Sequence, residues 1–224
     1  MTQAVILLAG MGSRLGRPHP KSLTPLSSGE TILGRQLRLL AAHELHVRGV
    51  VGFKLEFIME AAPELLFAYN PNYDTTNTAK SLLCGLRQIE NQDVLWLNGD
   101  VVFESGVLDS LLAAQGSVVA VNNARVGEEE VKYRLNADGY IAEISKQVEE
   151  PLGEALGINL IRAEHLGEFK AALAEVGDND YFERAMEVLI ERKGNVFKPV
   201  DVSEHLCLEV DFDADLERAN QLLD

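Results

Sequence analysis

An α/β fold, a single-domain three-layer sandwich with a mostly parallel sheet and a small hairpin-rich insert, is predicted for these 224 residues by three observations. Short apolar runs lack polar alternation, as strands buried on both faces do. Helical stretches alternate with those runs, the signature of a βαβ chain. Midway the pattern changes to paired strands about an Asp-Gly turn, which marks the insert.

The first run, residues 3–9 (QAVILLA), ends at Gly10. Residues 10–30 carry four glycines and three prolines and form a loop. Thr31 caps a helical pattern from Ile32 to about His46, in which Leu33, Leu37, Leu40 and Ala41 share a face, and Gly49 stops it. A second apolar strand runs from Val50 to Phe53. Then come a helix around Leu55 to Leu66, a short segment ending in Phe67-Ala68-Tyr69-Asn70, and a helix around Thr76 to Ile89. The strand Val94 to Leu97 closes with Asn98-Gly99-Asp100. Val131 to Leu135 and Tyr140 to Ile144, joined through Asp138-Gly139, read as an antiparallel pair, and Gly157 to Ile161 as another strand. This insert is expected to lie over the sheet. Helices around Ala163 to Val176 and Tyr181 to Glu191, a strand at Cys207 to Val210 and a helix from Asp213 to Leu223 follow.

At 24.6 kDa and 46% hydrophobic, the chain can bury the core of one domain. No stretch approaches the roughly 18 uninterrupted apolar residues of a membrane helix, and the amino terminus lacks the order of a signal peptide, so a cytoplasmic protein without a membrane partner is expected. Cys84 and Cys207 are far apart with no CxxC spacing, which suggests neither a zinc site nor a disulfide. The formal charge of −15 argues against a nucleic-acid partner. Within it, residues 1–50 hold six basic residues (Arg14, Arg17, Lys21, Arg35, Arg38, Arg48) against two acids, a local reversal suited to a small anion.

Leu8-Ala9-Gly10-Met11-Gly12-Ser13-Arg14-Leu15-Gly16, followed by Pro20-Lys21, is the segment richest in chemistry. Glycines let backbone amides approach phosphate oxygens, so the loop can cradle an anion. Arg14 would meet distal phosphates with its planar fork, and Lys21 would sit on an α-phosphate as a point charge. A dinucleotide fingerprint fails because position 15 is leucine and Gly16 comes one residue late; a P-loop fails because Pro20 stands where glycine is required.

The run LAGMGSRLG…PK closely resembles the signature of the sugar nucleotidyltransferase superfamily, and the whole chain is similar to its small cytidylyltransferase branch, typified by bacterial CTP:phosphocholine and phosphonate cytidylyltransferases. The resemblance implies a Rossmann-like nucleotidyltransferase domain over residues 1–224, with 1–122 binding the nucleotide and 123–224 binding the acceptor and supplying a metal aspartate. It implies catalytic Arg14, Lys21 and Lys146, the last on the acceptor phosphate. Leu8, Ala9, Gly10, Met11, Gly12 and Ser13 would hold the nucleotide, with Thr76, Asn77 and Ser81 at the pyrimidine edge. Mg²⁺ would sit on Asp100 and Asp211, and the acceptor on Asp180, Tyr181 and Glu209.

Blander roles compete at several of these positions. Thr76 and Asn77 suit helix capping; Asn98-Gly99 suits a hairpin; Lys80 and Lys146 suit solvent; Tyr181 suits a helix start. Asp213 is better placed than Asp211 to cap the last helix. Trp96, the one tryptophan, lies in a core strand, so no tryptophan-walled choline cage is available. The expected partners are CTP and a small phosphorylated or phosphonate acceptor, phosphocholine-like or an aminoalkyl or hydroxyalkyl phosphonate, with a homodimer left open. A sugar-1-phosphate enzyme using UTP or dTTP is the nearest alternative, and a non-catalytic nucleotide-binding module the next.

Overall fold

The computed structural model describes residues 2–11, 19–124, 126, 127 and 130–223. Strand β1 (Gln3–Leu8) lies between parallel neighbours β2 (His46–Val51) and β4 (Val94–Asn98). That position explains its continuous apolar run: Ala4, Ile6 and Leu8 enter one core, while Val5, Leu7 and Ala9 enter the other. Helices α1 (Ile32–Ala42), α2 (Leu55–Ala61) and α4 (Ser105–Ala113) cover the first face. Helices α3 (Thr78–Leu86), α5 (Ala163–Glu175) and α6 (Phe182–Lys193) cover the second. Three layers result. Trp96 is fully buried on the second face, its ring centre 5.1 Å from Phe169 and 5.8 Å from Phe182.

With β3 (Leu66–Tyr69), β6 (Ser117–Asn122), β9 (Gly153–Ile161) and β10 (Phe197–Asp201), the sheet runs in the order β3-β2-β1-β4-β9-β6-β10. Only β9 along that path opposes its neighbours, pairing antiparallel with both β4 and β6. Residues on either side of position 122 therefore share one sheet. The hairpin of β7 (Lys132–Leu135) and β8 (Ile141–Ser145) forms as the sequence predicts. It does not lie over the sheet: β7 pairs with the start of β9, Lys132 opposite Glu154, and so extends it.

Several boundaries move for local reasons. The first helix ends at Ala42 rather than His46, because Glu44 turns left-handed at φ 55° and sends the chain into β2 four residues earlier than expected. Helix α2 stops at Ala61, since Pro63 disfavours helical geometry at Ala62; residues 62–65 form a turn, and Leu66, expected to end the helix, opens edge strand β3. Gly157, read as a strand start, is the interior of β9, where φ 67° and a register shift mark a bulge.

The Asn98-Gly99 step does not close a hairpin. It leads into β5 (Val101–Phe103), which leaves β4 and pairs antiparallel with β11 (Cys207–Glu209). Helix α7 (Asp213–Leu223) packs beside that pair through Ala219, against Leu26, Ile32, Val102, Leu206 and Val210. Gly99 donates to the Leu7 carbonyl at 3.0 Å, and a Cβ there would lie 2.6 Å from the same oxygen. Only glycine lets the end of β4 close on β1 in this way.

Candidate active site

A cavity of about 600 Å³ opens at the carboxyl ends of β1 and β4, the place where open α/β sheets take their ligands. Leu8, Ala9, Gly10 and Met11 line it as β1 ends; Gly12, Ser13 and Arg14 lie outside the described residues. Lys21 enters from a single 3-10 turn, Lys21–Leu23, which Pro20 opens and a bond from Leu23 N–H to the Pro20 carbonyl (2.9 Å) closes.

The β5–β11 pairing brings two distant aspartates together. Val101 lies opposite Glu209, and Val210 N–H donates to the Asp100 carbonyl at 3.0 Å, so Asp100 and Asp211 flank the same gap. Lys21 fills it: its ammonium donates to Asp100 Oδ2 at 2.8 Å and to Asp211 Oδ1. Burial works against that charge, yet the two aspartates hold the ammonium above the ordinary lysine range. Asp100 Oδ1 is buried without a hydrogen-bond partner. Asp213 begins α7, but the turn into that helix is held by Asp215, whose Oδ2 accepts from the N–H groups of Asp211 and Phe212 at 3.0 and 2.7 Å. An acid inside the first turn reaches back here, as in a capping box.

Glu209 borders the same gap and accepts from Asn98 Nδ2 at 2.7 Å. Burial, reinforced by the charge of Asp100, pushes its carboxyl up to about 8, although the Asn98 bond works the other way. Asn98 was not singled out from sequence, and neither was Asn70, which is buried and donates to Thr76 Oγ1 and Ser81 Oγ, each at 3.0 Å. Thr76 in turn donates to the Asn72 carbonyl at 2.7 Å. Asn77 caps α3, accepting from Thr78 N–H at 2.9 Å, while still lining the cavity with Thr76 and Ser81. Lys80 is not solvated: it donates to the carbonyls of Leu173, Ala174 and Val176 and closes the carboxyl end of α5.

On the acceptor side, Lys146 and Tyr181 both line the cavity, with the Lys146 ammonium 5.8 Å from the Tyr181 ring centre. Asp180 lies outside the lining, its carboxylate turned back to accept from Gly177 N–H at 2.7 Å. Two residues into α6, Glu183 lines the cavity instead. Burial pushes its carboxyl up to about 7, while Lys146 draws it down.

Of the basic residues near the amino terminus, Arg14 and Arg17 lie outside the described residues, and among the described ones Arg35, Arg38 and Arg48 have partners away from Lys21. Arg35 donates to the Phe103 carbonyl, Arg38 pairs with Glu30, and Arg48 donates to the Gly85 carbonyl. Among the described residues the lining holds eight acids against three bases, Lys21, Lys146 and Arg218.

Stability should record the raised carboxyls. Each binds its proton more tightly folded than unfolded, where glutamate titrates at 4.5. Between that value and the folded one the native state holds the extra proton, so stability falls as pH rises from about 5 to 8. Thermal melts of the ligand-free protein should show this loss, and Glu183→Gln should remove about 3 kcal/mol of it.

An open sheet whose strand ends surround a cavity, with a lysine held there between two aspartates, is an α/β protein of the kind that binds its ligand outside the carboxyl ends of its strands. Residues 4–191 match the MobA-like NTP transferase domain, and the chain belongs to that family. It is 32% identical to the CMP-5'-(3-aminopropyl)phosphonate synthase of Streptomyces rubellomurinus (strain ATCC 31215), over 97% of this chain and 38% of that protein. The chain thus spans about two fifths of the length of that curated relative. Among solved structures, the inositol-1-phosphate CTP transferase from T. maritima superposes with a TM-score of 0.81 at 17% identity, covering 100% of this chain and 95% of that one. The CTP:phosphocholine cytidylyltransferase from Streptococcus pneumoniae gives 0.76 at 15% identity, over 100% and 99%. At these identities the two structures speak for the fold. Among the described residues no helix is long and apolar enough to cross a membrane.

Proposed function

We propose that this chain transfers CMP from CTP to the phosphate or phosphonate of a small acceptor, releasing pyrophosphate. The observation that carries the reading is the Lys21 ammonium held between Asp100 and Asp211 at the strand ends, in a cavity bordered by the first loop. The phosphonate cytidylyl chemistry in the name of the Streptomyces relative supports the choice of base and acceptor.

An acceptor oxygen, already anionic near neutral pH, attacks the α-phosphorus while pyrophosphate leaves from the opposite side. The step asks for no protein nucleophile; it asks for alignment and for cations where charge builds. Lys21 is the cation on hand at the α-phosphoryl group, and Lys146 neutralises the acceptor. Thr76, Asn77 and Ser81, on a scaffold set by Asn70, border the space for the base.

The residues suit Mg²⁺. Asp100 offers a buried oxygen without a partner, Asp211 lies across the same gap, and Mg²⁺ commonly takes one or two carboxylates, completing its shell with phosphate and water. Among the described residues no group of three or more candidate ligands forms a cage, which fits an ion that arrives with its nucleotide. When bound, the ion would offset the triphosphate charge and polarise the phosphoryl group. On this reading the partners are CTP, Mg²⁺ and the acceptor, and the compartment is the cytoplasm.

The test crosses the purified protein and Mg²⁺ with each of four nucleoside triphosphates and a panel of phosphocholine, aminoalkyl and hydroxyalkyl phosphonates, inositol phosphate and hexose phosphates. Pyrophosphate should appear with CTP and a phosphonate or phosphocholine-like acceptor. Release only with UTP or dTTP and a hexose phosphate would replace the reading, and release from no pair would leave a binding module.

A further inference from the structure

Resting on the transfer reaction proposed above, we infer that Gln36 is a positioning residue for it: from the buried face of α1 this side chain fixes the turn that carries Asp100, and so sets the aspartate against Lys21. The buried residues of α1 are Ile32, Leu33, Gln36, Leu39 and Leu40, and glutamine is the polar one among them, only 1% exposed. A buried amide costs stability unless its hydrogens find acceptors. Gln36 Nε2 donates to two, the Asn98 carbonyl at 3.0 Å and the Val101 carbonyl at 2.8 Å. Those residues end β4 and open β5, so a single side chain spans the Gly99-Asp100 step where the chain leaves the main sheet. Its Oε1 stays buried without a partner among the described residues. The amide is thus held where its donors are used, although its acceptor gains nothing there.

The same helix holds the other member of the ion pair. Thr24 N–H donates to the Lys21 carbonyl at 3.0 Å, and Ile32 N–H, at the start of α1, donates to the Thr24 carbonyl at 3.1 Å. Gln36 follows one helical turn later. A closed circuit results, from Lys21 through Thr24, Ile32 and Gln36 to Asp100, and back across the ion pair to the Lys21 ammonium. The turn is also held by backbone bonds, Gly99 N–H on the Leu7 carbonyl and Val210 N–H on the Asp100 carbonyl. Those bonds join the strands and remain when Gln36 is changed. What Gln36 adds is the fit of the turn to α1, and with it the placing of the carboxylate against the ammonium. Misplacing a group in an active site by about 1 Å can cost about 100-fold in rate.

The test measures kcat and KM, with CTP and the acceptor of the panel above that wild type uses best, in wild type, Gln36→Met, Gln36→Asn, Lys21→Ala and Gln36→Met combined with Lys21→Ala. Urea unfolding of each gives its folded fraction. Methionine keeps the length of the side chain and removes both donors; asparagine keeps the amide but is one methylene too short to span the two carbonyls. Either substitution should lower kcat per folded molecule by about 10- to 100-fold and leave both KM values unchanged. In the Lys21→Ala background the added loss should shrink to less than about threefold, because the pair that Gln36 aligns is already gone. Folded variants with wild-type kcat overturn the inference. So do losses that multiply in the double variant, activity that falls only with the folded fraction, or failure of both substitutions to fold, each of which marks a structural role. Absence of pyrophosphate from wild type with every acceptor and every triphosphate overturns the transfer reaction itself, and this inference with it; the other outcomes leave that reaction standing.

Discussion

Lys21→Ala should lower kcat by about 10²- to 10³-fold, the loss seen when one group that stabilises developing charge is removed from an active site. The Lys21 ammonium is held by Asp100 and Asp211 and is only 11% exposed, so no mobile cation from solvent replaces it at the same place. KM for the acceptor should move little, because acceptor binding falls to other residues. Lys21→Arg should not rescue the rate: a planar fork presents its charge differently from a compact ammonium. Steady-state kinetics with the two substrates varied separately read both parameters. A loss confined to KM, with kcat intact, would remove Lys21 from the transfer step.

Gly157→Ala should be the most damaging of the small substitutions in β9, lowering stability by about 2–4 kcal/mol. The residue sits at φ 67°, where an L side chain is strained, and an added Cβ would lie 2.5 Å from Glu209 Oε1 and 2.7 Å from Asn98 Nδ2. Those two atoms are partners in one hydrogen bond, so the methyl group must part them and unsettle the buried carboxyl two residues before Asp211. Urea unfolding should show the lost stability, and turnover should fall at least about tenfold if that bond helps set the aspartate. A variant as stable as wild type, with full turnover, would show that the bulge relaxes and that the Asn98–Glu209 bond is not needed.

Much of the framework is written locally. The unbroken apolar run of β1, the cap at Thr31, the Asp138-Gly139 turn and the helical pattern of residues 213–223 each follow from the chemistry of a few adjacent residues, and each forms where expected. Helix α4 and strands β5, β6 and β10 carry weaker marks. Strand β5 is three residues long, and β10 holds a proline, so neither shows a period long enough to identify. The glycine-rich run after β1, the Pro-Lys step and the two strand-end aspartates stand out in the sequence as candidates because their residue types are costly or unusual where they stand.

What those residues do depends on partners far along the chain. Asn98 meets Glu209 across 111 positions, and Lys21 meets Asp211 across 190, through a β5–β11 pairing that no local pattern encodes. The same holds for the acids near Tyr181: the sequence points to Asp180, and nothing in it marks Glu183. A loop that turns one carboxylate onto a backbone amide, and a helix that buries the other against the cavity, separate them. Propensity acts between neighbours in the chain, whereas burial, charge pairing and the choice of which carboxylate goes unpartnered arise only once distant segments have packed.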